Sequence, residues 1–116
     1  MELKHFFYNN DVPLEDLGNG LKRKVLAYHE NLMMVEVYFE KGAVGEIHSH
    51  PHEQITYVLE GEFEFNIDGK RQIVKAGDSM FKESNVLHGT TCLKKGKLLD
   101  VFSPHREDFV KDDVEE

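Results

Sequence analysis

His48, His50, Gln54 and His88 are the residues of this 116-residue chain whose types and spacing can do chemistry together. His48 and His50 stand at i and i+2, so on an extended segment both imidazoles point to one side, where two ring nitrogens can reach a single ion at about 2.0–2.2 Å. Further donors must come from the next part of the same strand or from another strand, and Gln54 and His88 are placed for those jobs. Glu53 could offer an oxygen instead, but it is one position off the pattern and should face away, which ranks it below Gln54. His52 has the parity of a ligand, yet Pro51 breaks the strand before it, so it either supports the ligands or lines the pocket, where it would touch substrate, or is simply exposed. His5, His29 and His105 have no such company and read as ordinary surface or satisfied histidines.

Three imidazoles and one carboxamide suit one divalent transition metal ion, with nickel, zinc, iron, cobalt and manganese all compatible. Because Gln54 is neutral, the charge of such an ion stays uncompensated and attracts a carboxylate or enolate oxygen without any change of oxidation state. Asp100 lies in an otherwise apolar run, where a solvated surface is a weak explanation for a carboxylate. A carboxyl group withdrawn from water can carry protons near neutrality. The plainer alternative is an aspartate satisfied by backbone or arginine partners. Phe102, two positions on, shares its face and either stacks on a ligand or fills the core.

The elements that must position these residues are short strands. Turn signals recur at Gly18-Asn19-Gly20, Glu30-Asn31, Lys41-Gly42, Asp68-Gly69, Gly77-Asp78, Ser84-Asn85 and Lys95-Gly96. Between them, residues 24–29, 33–40, 55–59, 62–67, 72–74, 79–81 and 97–102 read as strands, the pattern of an antiparallel β-sandwich or barrel. Phe63, Phe65 and Ile67 alternate with Glu62, Glu64 and Asn66, which marks a half-buried strand. Asp68-Gly69 supplies the positive-φ pair of a tight hairpin into the strand that follows. Met33, Val35, Val37 and Phe39 form the inner face of a core strand. The acidic stretch 107–116 predicts a short helical turn and then a frayed end.

Composition narrows the function. A formal charge of −8 and a pI near 5.3 argue against nucleic acid, which is bound through clustered Lys and Arg. No apolar run approaches the roughly 20 residues of a membrane span, and no apolar leader follows Met1. The single cysteine, Cys92, has no disulfide partner and reads as a packed thiol rather than a nucleophile; together these features predict a cytoplasmic protein.

The spacing of Gly42, His48, His50, Gln54 and Gly61 resembles the first motif of the cupins. The second motif is matched by Gly77 and His88, with Glu83 where proline is usual, Asn85 where glycine is usual and Cys92 where asparagine is frequent. The resemblance implies a single-domain, all-β jelly-roll barrel over 1–116 with its core at about 34–104. Cupins span many activities, so the fold does not decide the reaction.

A closer likeness is carried by Lys22-Arg23-Lys24, Phe39-Glu40-Lys41-Gly42-Ala43-Val44-Gly45, His48-Ser49-His50-Pro51-His52-Glu53-Gln54-Ile55, Val58 with Gly61, Phe63-Glu64-Phe65, Asp100-Val101-Phe102-Ser103-Pro104 and Arg106-Glu107-Asp108-Phe109. From about Leu17 to Phe109 the chain resembles the KdgF family of pectin-degradation cupins. That resemblance implies conversion of a 4,5-unsaturated monouronate, an anionic sugar released from pectin or alginate, into linear 5-keto-4-deoxyuronate. It implies metal binding by His48, His50, Gln54 and His88, and catalytic and substrate roles for Asp100, Phe102 and Arg106. A guanidinium matches a carboxylate in a two-pronged geometry, which suits Arg106 to the substrate acid. The alternatives are an oxygen-using cupin dioxygenase and a non-catalytic sugar-acid-binding cupin. A homodimer is expected, C2 pairs being the commonest assembly.

Overall fold

The computed structural model describes residues 3–110. Eight strands follow a 3-10 turn at Asn9–Asp11: β1 (Glu15–Gly18), β2 (Leu21–His29), β3 (Leu32–Phe39), β4 (Val44–His48), β5 (Glu53–Ile67), β6 (Lys70–Lys75), β7 (Ser79–Lys82) and β8 (His88–Ser103). A single helical turn, α1 (Glu107–Val110), closes the described chain. The expected helical turn is there, and the expected fraying at 111–116 lies outside the described residues.

All pairings are antiparallel, and two long strands join two layers. The first half of β5 pairs with β7 and with the second half of β8, which continues through β3 and β2 to β1. The second half of β5 pairs with β6 and with the first half of β8, whose other neighbour is β4. The result is the expected all-β jelly roll, with inner-face side chains of both layers forming the core. Phe39, Val58, Phe63, Phe65, Cys92 and Leu98 make one buried cluster, and Met33, Val35, Phe102 and Val110 another.

One turn reading and one break between strands are corrected. Residues 55–59 and 62–67 are parts of one strand that runs through Gly61, and Lys95-Gly96 is strand as well, so 97–102 is only the second half of β8. The glycines serve close approach instead of reversal. Gly61 has φ of 86°, and a Cβ there would lie 2.5 Å from the Lys94 carbonyl oxygen. A Cβ on Gly96 would strike the Glu60 carbonyl. Only hydrogen at these two positions lets β5 and β8 bend over each other. Strands β1 and β4, too short for a clear alternation, were not anticipated.

The candidate metal centre and its cavity

Strand parity builds the site. On β5, Gln54, Thr56 and Val58 face inward while Glu53, Ile55 and Tyr57 are exposed, so Glu53 turns away as its position predicts. On β8, Leu98, Asp100 and Phe102 are buried. Cross-strand register then sets Gln54 beside Phe102 and Lys82, and Thr56 beside Asp100 and Met80. His48 at the end of β4 is opposite His88 at the start of β8. His50 lies beyond β4 in the turn toward Pro51, and Asn85 takes φ of 68° in the turn before His88, the conformation a glycine would adopt there.

The three imidazoles converge. One ring nitrogen each from His48, His50 and His88 lie within 4.8 Å of one another. Each ring has a backbone carbonyl two residues away beside its Nδ1: Glu46 O at 2.8 Å for His48, His52 O at 3.1 Å for His50 and Val86 O at 3.0 Å for His88. A carbonyl only accepts, so in His48 and His88 the hydrogen is assigned to Nδ1 and the Nε2 lone pair is left over. Burial pushes the His88 pKa from 6.5 down to about 4 and lowers that of His50, so both rings are neutral at pH 7.

This donor set fits a cation. Among the described residues, the buried Nε2 of His88 has no hydrogen-bond partner. His50 faces two acceptors, His52 O at 3.1 Å and Oε1 of Gln54 at 3.0 Å, and a neutral ring has a hydrogen for only one of them, so one ring nitrogen is left with its lone pair aimed at an acceptor. Such an arrangement is repulsive alone and is satisfied by a positive ion that both lone pairs share. His52 stands outside the trio, against Phe102 at 6.4 Å between ring centroids, with its own Nδ1 buried and unpartnered.

A cavity of about 160 Å³ adjoins the imidazoles and is lined by His48, His88, Gln54, Asp100, Phe102 and Arg106, among others. Drug-sized ligands occupy pockets of roughly 300–1,000 Å³. This one is therefore of a size for one small molecule rather than a polymer chain. Among the described residues, Asp100 has one hydrogen-bond partner, the Thr56 hydroxyl at 2.6 Å. Phe102 belongs to the core and to the cavity wall at once, with its ring 5.8 Å from that of His50. Arg106 grips Asp108 through Nε at 3.1 Å and Nη2 at 2.9 Å and lies over the Phe109 ring at 4.3 Å. The Cys92 thiol donates to Lys94 O at 3.1 Å and burial raises its pKa, as befits a packed thiol.

No motif in the sequence marks three residues as part of the site: Lys82 and Arg23, which line this cavity, and Thr56, whose buried hydroxyl lies between Lys82 and Asp100. Lys82 was detectable, since it shares the inward parity of Met80, but the strand was ended one residue too early. Arg23 lies over Phe109 at 3.9 Å from the opposite element, β2.

The cupin domain family matches residues 35–102, the span that contains His48, His50, Gln54 and His88. The pectin degradation protein KdgF of Dickeya dadantii (strain 3937) is 44% identical over 110 residues, covering 93% of this chain and all of that one. The chain is a cupin of the KdgF family. Solved structures agree with the cupin fold described above. An RmlC-like cupin from Shewanella frigidimarina NCIMB 400 superposes with a TM-score of 0.89 at 47% identity, over 93% of this cupin and 97% of that chain. KdgF from a Halomonas species gives 0.87 at 36% identity, over 92% of this cupin and 99% of that chain.

Proposed function

We propose that this cupin opens and tautomerises 4,5-unsaturated monouronates from pectin or alginate breakdown to linear 5-keto-4-deoxyuronate, using one divalent metal ion held by His48, His50, Gln54 and His88. One observation carries the reading: the cavity beside the imidazole cluster is also lined by Asp100, Phe102 and Arg106, so oxygen-binding, proton-carrying, stacking and anion-holding groups share a space of monosaccharide size. The relatives named for pectin degradation supply the substrate class.

The reaction is an isomerisation, and its atoms balance within the substrate. The C1–O5 bond breaks as the C1 hydroxyl gives up its proton, which leaves an aldehyde at C1 and an enol oxygen at C5. A proton then adds at C4 and the C5 carbonyl forms. Asp100 takes the first proton on a carboxylate oxygen and supplies the second. Arg106 holds the substrate carboxylate with the N–H groups that Asp108 leaves free. Phe102 presents an apolar ring to the sugar and keeps water away, and His52, packed edge-on against that ring, is the further group we assign to substrate binding. When bound, the divalent ion supplies Lewis acidity toward substrate oxygen with no redox change.

Cys92, buried and without a disulfide, supports a reducing, cytoplasmic setting. The homodimer belongs to the same reading: Met34, Ile55 and Phe81 are exposed on neighbouring strands, with Val101 between the first two, and form an apolar row on the outer sheet face.

The test is to incubate the protein with unsaturated galacturonate and follow loss of the C4=C5 ultraviolet absorbance, with and without chelator, in the presence and absence of O₂. Chelator-sensitive, oxygen-independent decay is expected. No acceleration over buffer discards the reaction, and oxygen consumption points to a dioxygenase.

A further inference from the structure

Thr56 is completely buried, and its hydroxyl oxygen has three polar neighbours: Nζ of Lys82 at 2.8 Å, Oδ1 of Asp100 at 2.6 Å and Nε2 of Gln54 at 3.2 Å. A hydroxyl owns one hydrogen and two lone pairs, so three partners exhaust it. The Lys82 ammonium can only donate and takes one lone pair. The Asp100 carboxylate can only accept and takes the hydrogen. One lone pair remains, and it can meet only a donor, so the carboxamide of Gln54 must turn its NH₂ toward Thr56. Its oxygen then points the other way, at Nε2 of His50, 3.0 Å off. The two ends of an amide are nearly isosteric, and nothing else at Gln54 separates them as this chain of donors and acceptors does.

We propose that Thr56 is a positioning residue that decides which end of Gln54 faces the imidazole cluster, and that Lys82 is the buried ammonium that completes the arrangement. The proposal rests on the reading of Gln54 as a metal ligand. Neither residue need touch substrate. Thr56 acts through Gln54 and Asp100, and ties the oxygen that would hold the ion to the carboxylate that would carry the proton. Lys82 is 2% exposed; among the described residues its hydrogen-bond acceptor is Thr56, and its ammonium also lies over the face of Phe65, at 4.9 Å. A lysine so placed is costly unless charge and hydrogen bonding compensate it, and Asp100 across the hydroxyl supplies the opposite charge.

Two measurements test this. In the metal-free wild-type protein, NMR cross-relaxation should link the Gln54 side-chain NH₂ protons to the Thr56 methyl group and not to the His50 ring; the reverse pattern overturns the proposal. The second is a double-mutant cycle read as Zn²⁺ affinity by competition with a chromophoric chelator. Thr56→Val should weaken Zn²⁺ binding roughly 10- to 100-fold, with Thr56→Ser restoring it. In a Gln54→Glu background, where both ends of the side chain are oxygen, the same change should cost less than about twofold if the two residues act as one unit. Should valine alone prevent folding by stranding the ammonium, Thr56→Val combined with Lys82→Met is compared in the same two backgrounds. Equal losses in both backgrounds, or none in either, overturn the positioning role. A wild-type protein that takes up no Zn²⁺ overturns the metal reading and this proposal together, whereas Zn²⁺ uptake without coupling overturns this proposal alone.

Discussion

His48 and His88 are cross-strand partners on β4 and β8, with ring centroids 4.5 Å apart. The pair comes from chain positions 40 residues apart, yet register alone brings the rings together. Their Nδ1 hydrogens are tied to Glu46 and Val86, so the free nitrogens are pre-aimed before any ion arrives. His88→Ala should therefore abolish stoichiometric metal in the purified protein, as measured by elemental analysis. Full metal content in that variant would remove the β4–β8 pair from the centre.

Acid should weaken the chelator-treated protein in a defined window. Burial lowers the His88 pKa from 6.5 to about 4, and that of His50 also falls. Between those limits the unfolded chain binds more protons than the folded one, so stability is complete above about pH 6.5 and falls as pH drops toward about 4. Urea midpoints at pH 7.5, 6 and 5 should decline in that order, and His88→Gln should flatten the trend. A level profile for the wild type contradicts the burial argument.

Asp100→Asn keeps the volume of the side chain and removes its capacity to take a proton. We expect kcat for the unsaturated uronate to fall roughly 10²–10⁴-fold while metal content stays unchanged. Undiminished turnover removes Asp100 as the proton carrier.

Arg106→Lys keeps the charge and loses the planar fork. The expected signature is a KM raised about tenfold or more with a smaller change in kcat, since a two-pronged contact to carboxylate is worth several times a point charge. An unaltered KM means that the substrate acid is held elsewhere, and Arg23, across the Phe109 ring, is the next group to test.

Gly96→Ala should destabilise the fold by more than about 3 kcal/mol, read by chemical denaturation, because the added carbon meets the Glu60 backbone. Gly69→Ala meets nothing within 4 Å and suffers only from its positive φ, so its cost should be smaller.

The parts of this design that follow from period-two alternation were legible in the sequence. Phe63, Phe65, Met33 and Val35 are buried where alternation puts them, and the turn at Asp68-Gly69 joins β5 to β6 as expected. The histidine spacing likewise led to a cluster that the structure assembles. What stayed hidden depends on contacts between distant strands. Lys95-Gly96 and Gly61 look like turns because glycine permits both reversal and close approach, and only the crossing of β5 over β8 tells which is used. Thr56 and Lys82 carry no motif, and a lysine is ordinarily exposed. Their importance comes from three donors and acceptors meeting at one oxygen, a fact of tertiary geometry.

Gln54 and Thr56 share one unbroken strand with Phe63 and Phe65, and Asp100 and Phe102 share another with His88 and Cys92. Loosening the cavity walls would mean unzipping the longest ladder among the described strands, so those walls have no hinge of their own. Amide hydrogens at Thr56 and Asp100 should exchange with solvent only at the rate of whole-molecule opening, whereas Arg106 and Phe109 line the same cavity from the segment past the end of β8 and are not held by that ladder.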